Sequence, residues 1–259
     1  MNVTVVLDCE TYPDFPLVRQ AFGLAADTPD DEAERSALPQ HGEGPGILKP
    51  LYQQLAALSV CMIGQDGTVR QLDCLEEDSE AAVLGRFWGA IEAQGAQRPP
   101  RIVTWNGRRF DLPVLVQRAL YQGVTPKAYW AGNYRDRYRG PHLDLMDYLA
   151  DFGGTQNLSQ NEAAVMLHLP GKLGVSGGDV RQLVATGDLE TVRGYNLCDV
   201  ATLTGILLRV GSQIGVCTEE EAERGLHTLV DAMASAAGKY PMVGTWLEAY
   251  EKTARGWRS

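Results

Sequence analysis

Two carboxylates near the start of the chain, Asp8 and Glu10, have the residue types and spacing to bind a metal ion. They follow the apolar, β-branched residues 2–7, which predict a buried strand. Because side chains alternate along a strand, both carboxylates are expected on one face and Cys9 on the other. Two carboxylates this close repel each other unless a cation holds them, and such oxygen ligands suit Mg²⁺ or Mn²⁺. The pair therefore predicts part of a divalent-metal site.

The spacing of this pair is not distinctive by itself, because a chain of this length contains about one such triplet by chance. The same spacing occurs at Asp30 with Glu32 and at Asp188 with Glu190. The first copy lies in an acidic segment and indicates solvated charge, and the second begins a predicted helix, where acidic residues are favourable. Only the pair at the end of the first strand follows a buried run, so it alone is a candidate site.

Three more residues are candidates for the same site. A predicted strand at residues 101–105 ends in a turn at Asn106, and Asp111 begins the next predicted helix, where a helix N-cap is the alternative role. Tyr195 and Asp199 are four residues apart on a predicted helix, so they lie on one face, one turn apart. A surface position is the alternative for this second pair.

In this order, the three elements resemble the motifs of the DEDD superfamily of 3′→5′ exonucleases, which has a ribonuclease H-like fold. Its tyrosine subtype, DEDDy, carries D-x-E on the first strand, N-x-x-x-F-D after a later strand and Y-x-x-x-D on a late helix. The matching residues are Asp8, Glu10, Asn106, Phe110, Asp111, Tyr195 and Asp199. The histidine subtype would need a histidine five residues before the last aspartate, where Gly194 stands.

More narrowly, the chain resembles a bacterial family of predicted exonucleases related to the proofreading domain of family B DNA polymerases. This resemblance rests on the same motifs and on three further stretches, HLDLMD at 142–147, LPGK at 169–172 and SGGDV at 176–180. It runs from residue 2 to about residue 208 and is weaker in the acidic segment and the C-terminal part.

The resemblance implies a mechanism with two divalent ions, Mg²⁺ or Mn²⁺. Asp8 would bridge the two ions, and Glu10 and Asp199 would complete the coordination shell of the first ion. Asp111 would act mainly through a water molecule. Tyr195 would orient the attacking water rather than take its proton, since an ordinary phenol has a pKa of about 10.

The resemblance also implies contacts with the substrate. Asn106 and Phe110 would touch the terminal nucleotide, although a core aromatic is an equal alternative for Phe110. Arg108 is a candidate for phosphate contacts, and Lys172 and Ser176 border a glycine-rich loop that would close on the substrate. Further arginines are candidates for backbone contacts: Arg109, Arg135, Arg137 and Arg139.

The segment 134–139 (YRDRYR) interleaves cations with aromatic rings, an arrangement that suits single-stranded nucleic acid. A solvated loop is the alternative for this segment.

The order of predicted elements indicates an α/β fold with one mixed sheet and helices on its faces, and the resemblance makes this fold ribonuclease H-like. Strands are predicted at residues 2–7, 55–63, 68–73, 101–105 and 142–145, with a hairpin turn at 65–67. Helices are predicted at 79–92, 112–121, near 147, at 159–167 and, as a long amphipathic helix, at 188–210.

We predict one domain in two parts. Residues 1–212 form the ribonuclease H-like exonuclease domain, in which residues 24–49 are an acidic flexible loop. Residues 213–259 form a C-terminal helical extension of the same domain, with two helices separated by Pro241.

The composition limits the class of protein. The net charge of −10 weighs against a module that grips duplex DNA, because phosphate neutralisation dominates such binding. Five scattered cysteines without a C-x-x-C pair indicate reduced thiols in the cytoplasm and argue against a zinc site. No apolar run reaches the roughly 18–20 residues of a membrane span, and the N-terminus lacks the basic region of a signal peptide.

These observations predict a metal-dependent 3′→5′ exonuclease that shortens single-stranded nucleic acid to nucleoside monophosphates. The family relationship favours DNA over RNA 3′ ends, while the metal site does not distinguish the sugar. The sequence does not identify a replication or repair partner. Two alternatives are a non-catalytic module that binds single strands and a hydrolase of short oligonucleotides.

Overall fold

Five strands form one mixed sheet in the computed structural model, which describes residues 3–38, 46–94, 99–174 and 176–254. Along the chain they are β1 (Thr4–Pro13), β2 (Gln53–Ile63), β3 (Val69–Cys74), β4 (Arg101–Thr104) and β5 (His142–Asp144). Their order in the sheet is β3-β2-β1-β4-β5. The β1–β2 and β2–β3 pairs are antiparallel, and the β1–β4 and β4–β5 pairs are parallel. The predicted α/β class with a mixed sheet is confirmed.

The central strand β1 is longer than predicted, and this length exposes its second half. It pairs with β4 only from Thr4 to Val6, whereas it pairs with β2 as far as Pro13. Asp8 and Glu10 therefore lie beyond the last contact with β4. Because β1, β4 and β5 run parallel, the residues that follow each of them collect at the same edge of the sheet.

Helices cover both faces of the sheet. They are α1 (Phe15–Phe22), α2 (Asp30–Ala37), α3 (Glu80–Ala93), α4 (Asp111–Tyr121), α5 (Lys127–Ala131), α6 (Leu145–Leu149), α7 (Gln160–Met166), α8 (Val180–Ala185), α9 (Leu189–Gly211), α10 (Glu219–Ala236) and α11 (Pro241–Ala254). Odd-numbered residues of β1, such as Leu7 and Cys9, pack with α3 and α4, while Val6 packs with α9. The even-numbered carboxylates consequently face α9.

The long helix α9 forms the core of one layer. The sequence predicts an amphipathic helix, but 18 of its 23 residues are buried. This expectation was wrong because α10 and α11 cover the outer surface of α9, with Leu229, Met233 and Trp246 fully buried. The two predicted C-terminal helices are present, and Pro241 begins the second one.

The predicted acidic flexible loop at 24–49 is partly helical, which corrects that prediction. Helix α2 lies within it, and Ala33, Ala37 and Leu48 pack in a small buried cluster with Val18 of α1. Three acidic residues occupy the first turn of α2, where they favour the helix dipole and are not a sign of disorder. Residues 39–45 of the predicted loop lie outside the described residues.

Other helices differ from the sequence interpretation in detail. Helical periodicity in the sequence places Ala82, Val83, Phe87, Ala90 and Ile91 on one side of α3. Phe87 and Ile91 are buried, as this predicts, but the other buried residues are Leu84 and Trp88 instead of the two alanines. The short helices α1, α5 and α8 were not predicted. No helix among the described residues is both long and apolar enough to span a membrane.

Candidate active site

Three carboxylates from opposite ends of the sequence converge at the open part of β1. Asp8 and Glu10 come from β1 and Asp199 from α9, and one oxygen of each lies within 4.8 Å of the others. All three residues are half-buried. Carboxylate oxygens at this spacing are the donors that Mg²⁺ and Mn²⁺ prefer, so the arrangement can hold a divalent cation.

Asp111 lies next to this group but outside the set of three. It is the first residue of α4, it is 4% exposed, and its Oδ1 accepts a 3.0 Å hydrogen bond from the backbone N–H of Cys9. The N-cap position of α4 belongs to Phe110, so Asp111 does not cap the helix. Its bond instead ties the start of α4 to β1 between the two carboxylates of that strand.

The pKa values of these carboxyl groups are raised, and the main cause is burial. The pKa of Asp8 is well above its usual range, and the neighbouring carboxylates raise it further. Burial, and then Asp199 and Asp111, raise the pKa of Glu10 to about 8. Burial raises the pKa of Asp111 to about 6 and that of Asp199 to about 6. A bound cation would favour the ionised forms, so the residues present fit a divalent metal.

Tyr195 lies one turn before Asp199 on α9 and is almost fully buried, which excludes the alternative of a surface position. Its hydroxyl interacts with the carboxylate of Asp199 and lowers the pKa of that carboxyl group. Burial, followed by the charges of Asp199 and Glu10, raises the pKa of Tyr195 far above that of a free phenol. The hydroxyl therefore keeps its proton at physiological pH and acts as a donor.

Asn196 belongs to the site although the sequence analysis did not identify it. It is fully buried on α9, and its Nδ2 donates a 2.7 Å hydrogen bond to Oδ2 of Asp8. Its Oδ1 has no hydrogen-bond partner within the described residues. The available signal was an amide in an otherwise apolar stretch of helix, directly after the motif tyrosine.

The turn that precedes Asp111 is fixed by Asp144 at the end of β5. The carboxylate of Asp144 accepts hydrogen bonds of 2.9 Å from the backbone N–H groups of Asn106 and Arg108, and it also caps α6. Asn106 adopts a left-handed conformation (φ 61°). At Gly107 a Cβ atom would lie 2.4 Å from the side chain of Thr104, so only glycine fits there. Asp144 thus holds the turn before Asp111 in place in addition to capping α6.

The predicted substrate-binding residues lie on two sides of the carboxylates. Asn106 and Arg108 line a cleft beside the turn after β4, and Phe110 is half-buried against the core between the sheet, α3 and α4. Lys172 is exposed in a depression that it shares with Tyr195 and Asp199.

The glycine-rich loop approaches the site from the α8 side. The charge of Lys172 lowers the pKa of Glu10 and of Asp199, so it lies close to the carboxylates. Ser176 forms a capping box with Asp179, with a 2.7 Å bond between the two side chains. A Cβ atom at Gly177 would lie 3.9 Å from Oε2 of Glu10, which places this part of the loop next to the metal ligands.

The interleaved segment 134–139 is only partly a surface for nucleic acid. Tyr134 is fully buried, and its hydroxyl donates to the carbonyl of Pro100 at 2.7 Å, so it cannot stack on a base. Arg137 binds both carboxylate oxygens of Asp147, at 2.8 and 2.5 Å. Tyr138 is 69% exposed. The burial of Tyr134 corrects the expectation that its ring contacts nucleic acid. The sequence alone could not show which of the two tyrosines faces the core.

The chain is similar to known proteins in sequence and in structure. Residues 47–250 match the model of a family described as predicted 3′-5′ exonucleases related to the exonuclease domain of PolB. The matched residues include Asp111, Tyr195 and Asp199 and begin after Asp8 and Glu10. DNA polymerase 1 of Sulfurisphaera ohwakuensis is 28% identical over 179 residues, which are 59% of this chain and 20% of the polymerase. The chain thus spans about a fifth of that relative.

Two solved structures are similar. The family B DNA polymerase of the hyperthermophilic archaeon Pyrobaculum calidifontis superposes with a TM-score of 0.51 and 18% identity, over 92% of this chain and 29% of that chain. Exonuclease I of E. coli, solved with a dA16 oligonucleotide, gives a TM-score of 0.37 and 12% identity, over 82% of this chain and 46% of that chain. The first similarity, together with the mixed sheet, confirms the ribonuclease H-like fold.

Proposed function

The chain belongs to the family of predicted 3′→5′ exonucleases related to the exonuclease domain of PolB, and on this premise we propose that it is a metal-dependent exonuclease of the DEDDy type. It removes nucleoside monophosphates from the 3′ end of single-stranded nucleic acid. The observation that carries the proposal is the convergence of Asp8, Glu10 and Asp199 within 4.8 Å, with Asp111 and Tyr195 beside them. DNA is the favoured substrate because a relative of the chain is a DNA polymerase.

The carboxylates of Asp8, Glu10, Asp199 and Asp111 would hold two Mg²⁺ or Mn²⁺ ions, which supply the Lewis acid that activates a water and stabilises the leaving 3′ oxygen. The side chains around them fix the positions of these ligands. The backbone N–H of Cys9 holds Asp111, and the amide of Asn196 on α9 holds Asp8.

Tyr195 has a positioning role in this proposal. Because its pKa is raised, the phenol remains protonated, so it cannot serve as a general base at physiological pH. Its hydroxyl can donate one hydrogen bond to Asp199 and accept another from the attacking water. Lys172 lies exposed in the same depression and supplies a positive charge for a substrate phosphate.

The test is a gel time course on 5′-labelled single-stranded DNA and RNA with Mg²⁺ or Mn²⁺. We expect a ladder that shortens from the 3′ end, that disappears with EDTA and that is absent with the Asp8→Ala/Glu10→Ala variant. The matched control is Asp30→Ala/Glu32→Ala, which removes the same triplet from the exposed helix α2 and should leave digestion unchanged.

Digestion of neither polymer with either metal would contradict the proposal. Binding of single strands without cleavage would then favour the non-catalytic module. Cleavage of dinucleotides alone would favour a hydrolase of short oligonucleotides.

A further inference from the structure

A cleft of about 480 Å³ lies between the turn that follows β4 and the segment that follows α6. Both segments follow strands that run parallel to β1, so the cleft is at the sheet edge that carries Asp8 and Glu10. Its volume is within the usual range for small-ligand pockets. Its lining residues include Asn106, Arg108, Arg109, Phe152 and Asn157.

Two buried polar atoms of this cleft have no hydrogen-bond partner among the residues that the structure describes. They are Oδ1 of Asn106 and Nε of Arg108. Buried polar atoms in folded proteins nearly always have a partner, which can be a protein group, an ordered water or a ligand. The missing partners are a donor for the amide oxygen and an acceptor for the guanidinium. A nucleotide carries both, because its base has N–H groups and its phosphate has acceptor oxygens.

The charge near the cleft is opposite to that of the whole chain. Residues 105–140 carry a net charge of +5, but the cleft itself is lined by three arginines (Arg108, Arg109 and Arg137) and two carboxylates (Asp144 and Asp147), a net charge of +1, whereas the chain carries −10. Over the described ranges, neither the guanidinium of Arg108 nor that of Arg109 lies within 4.0 Å of a carboxylate, and the guanidinium of Arg108 makes only a long 3.4 Å hydrogen bond to the carbonyl of Arg135, so both can pair with phosphate. Arg118, in the same stretch, is buried with Asp14 and Glu80 and does not contribute to this surface.

The aromatic residue of the cleft, Phe152, is held in an unusual backbone conformation. Asp151, Phe152 and Gly153 all have positive φ angles, of 50°, 56° and 98°. The carbonyl of Phe152 accepts a 3.1 Å hydrogen bond from Arg137, whose guanidinium also binds Asp147. The rings of Tyr138 and Tyr148 pack edge-on against the ring of Phe152. Left-handed non-glycine residues persist only where the surroundings hold them.

We propose that this cleft binds one nucleotide of the single-stranded substrate, with its base stacked on Phe152 and its phosphate bound by Arg108 and Arg109. The inference rests on the proposed exonuclease function and adds a substrate subsite to it. An aromatic ring accepts any base, so this subsite supports digestion without sequence preference. Arg137 is a positioning residue here, because its donors are engaged by Asp147 and by the carbonyl of Phe152.

The experiment measures the binding of a 5′-fluorescein dT12 by fluorescence anisotropy. It uses the Asp8→Asn/Glu10→Gln variant as the background, so that the oligonucleotide is not cleaved. Adding Phe152→Leu should raise the Kd about 5- to 150-fold, which is the range for the loss of one base–aromatic stack. Adding Arg109→Gln should weaken binding and reduce the slope of log K against log salt by roughly 0.7.

Two matched controls carry the same chemical changes elsewhere. Tyr121→Leu removes an exposed aromatic from the far end of α4, and Arg70→Gln removes an exposed arginine from β3, at the opposite edge of the sheet. Neither should change the Kd. A 12-residue abasic oligonucleotide provides a second measurement, because Phe152→Leu should not weaken its binding, whereas Arg109→Gln should. A misfolded variant would lose affinity for both oligonucleotides.

The outcomes separate this inference from the exonuclease proposal. If the wild type digests DNA but Phe152→Leu and Arg109→Gln bind dT12 like the background, the subsite is wrong and the exonuclease stands. If the wild type digests nothing but both variants weaken binding of dT12, the subsite stands and the cleavage proposal fails. Equal loss of affinity for the abasic oligomer with Phe152→Leu would also overturn the stacking role.

Discussion

The amide Nδ2 of Asn196 donates a 2.7 Å hydrogen bond to Oδ2 of Asp8, a residue 188 positions earlier in the chain. This bond joins α9 to β1 at the carboxylate cluster and fixes the direction of one carboxylate. It also lowers the pKa of Asp8, in opposition to burial and the neighbouring charges. Hydrogen bonds to metal ligands of this kind commonly control metal affinity.

Replacing Asn196 with leucine should weaken metal binding without removing any ligand. We expect the Kd for Mn²⁺, measured by isothermal titration calorimetry, to rise about 10- to 100-fold. Activity should recover at high Mn²⁺, because the four carboxylates remain. An unchanged Kd for Mn²⁺ would show that the bond to Asp8 is not needed for metal binding.

Metal ions should stabilise the protein at pH 8, where the carboxylates of the site repel one another. The raised pKa values mean that the folded state keeps protons that the unfolded state releases above about pH 4. In EDTA, the free energy of unfolding should therefore fall as pH rises from about 4 to 8. Adding Mn²⁺ should raise the Tm, since the ion binds only the folded site.

The Glu10→Gln variant should be more stable than the wild type in EDTA and should gain less stability from Mn²⁺. In EDTA at pH 8 its Tm should exceed that of the wild type, by about 2–4 °C for each kcal/mol of repulsion removed. The Tm rise with Mn²⁺ should be much smaller, because a ligand is missing. Differential scanning calorimetry at pH 5 and pH 8 measures both effects. A lower Tm than the wild type in EDTA at pH 8 would contradict the repulsion argument.

Tyr195→Phe should reduce kcat about 10- to 100-fold while KM changes little, because the hydroxyl orients a reacting water and does not hold the substrate. The Kd for Mn²⁺ should change less than with Asn196→Leu. The rate should also show no loss near pH 10, since the pKa of Tyr195 is raised beyond that range. Steady-state kinetics at saturating Mn²⁺ measures these values. A wild-type kcat in the variant would remove Tyr195 from the mechanism.

His142 should make the protein sensitive to acid. Burial lowers the pKa of His142 to about 3, while the ring is hydrogen-bonded to Thr104 at 2.8 Å. In this pH range the unfolded state therefore binds a proton that the folded state does not bind. The free energy of unfolding falls as pH falls from about 6.5 towards 3. Between pH 7 and 5 this residue alone should lower the free energy of unfolding by about 2 kcal/mol.

Urea unfolding of the wild type and of His142→Gln at both pH values measures that contribution. The carboxylates of the active site titrate in both proteins, so the difference between the two pH dependences isolates His142. Identical dependences would show that His142 has the same pKa in the folded and unfolded protein, which would contradict the prediction.

Arg118 should be essential for stability. It is 1% exposed, and it binds Asp14 at 2.8 Å and Glu80 at 2.5 Å. Arg118→Leu leaves these two carboxylates buried without a counter-ion and should cost about 3–5 kcal/mol. The matched control is Arg86→Leu, which breaks two pairs at the surface, with Asp73 and Glu77, and should cost less than about 1 kcal/mol. Similar losses in urea unfolding of both variants would contradict this difference.

Local rules predicted the parts of the site that depend on spacing along one element. Strand alternation placed Asp8 and Glu10 on one face, and the four-residue helix spacing placed Tyr195 next to Asp199. The same rules could not find the bond between Asn196 and Asp8, because it joins elements far apart in sequence. They also failed at Tyr134, since burial depends on how α5 and the following turn pack on the sheet and not on the residue type.

Composition misled the interpretation of residues 24–49 for a related reason. Acidic residues, proline and glycine are common in mobile loops, yet Asp30 and its neighbours form the first turn of α2. The deciding contribution is the burial of Ala33 and Ala37 against α1, and small residues give only a weak hydrophobic signal in sequence.

Because α9 is buried, the site residues on this helix and those on the nearby loop should differ in how readily their backbone becomes accessible to solvent. Tyr195, Asn196 and Asp199 lie in the middle of a helix surrounded by the sheet and by α7, α8, α10 and α11. Their amide protons should exchange with solvent only when the whole domain unfolds, whereas those of the exposed loop around Lys172 should exchange through local fluctuations. Under the proposed function, mutations in that loop can therefore alter substrate preference over evolutionary time while the buried carboxylate cluster keeps its geometry.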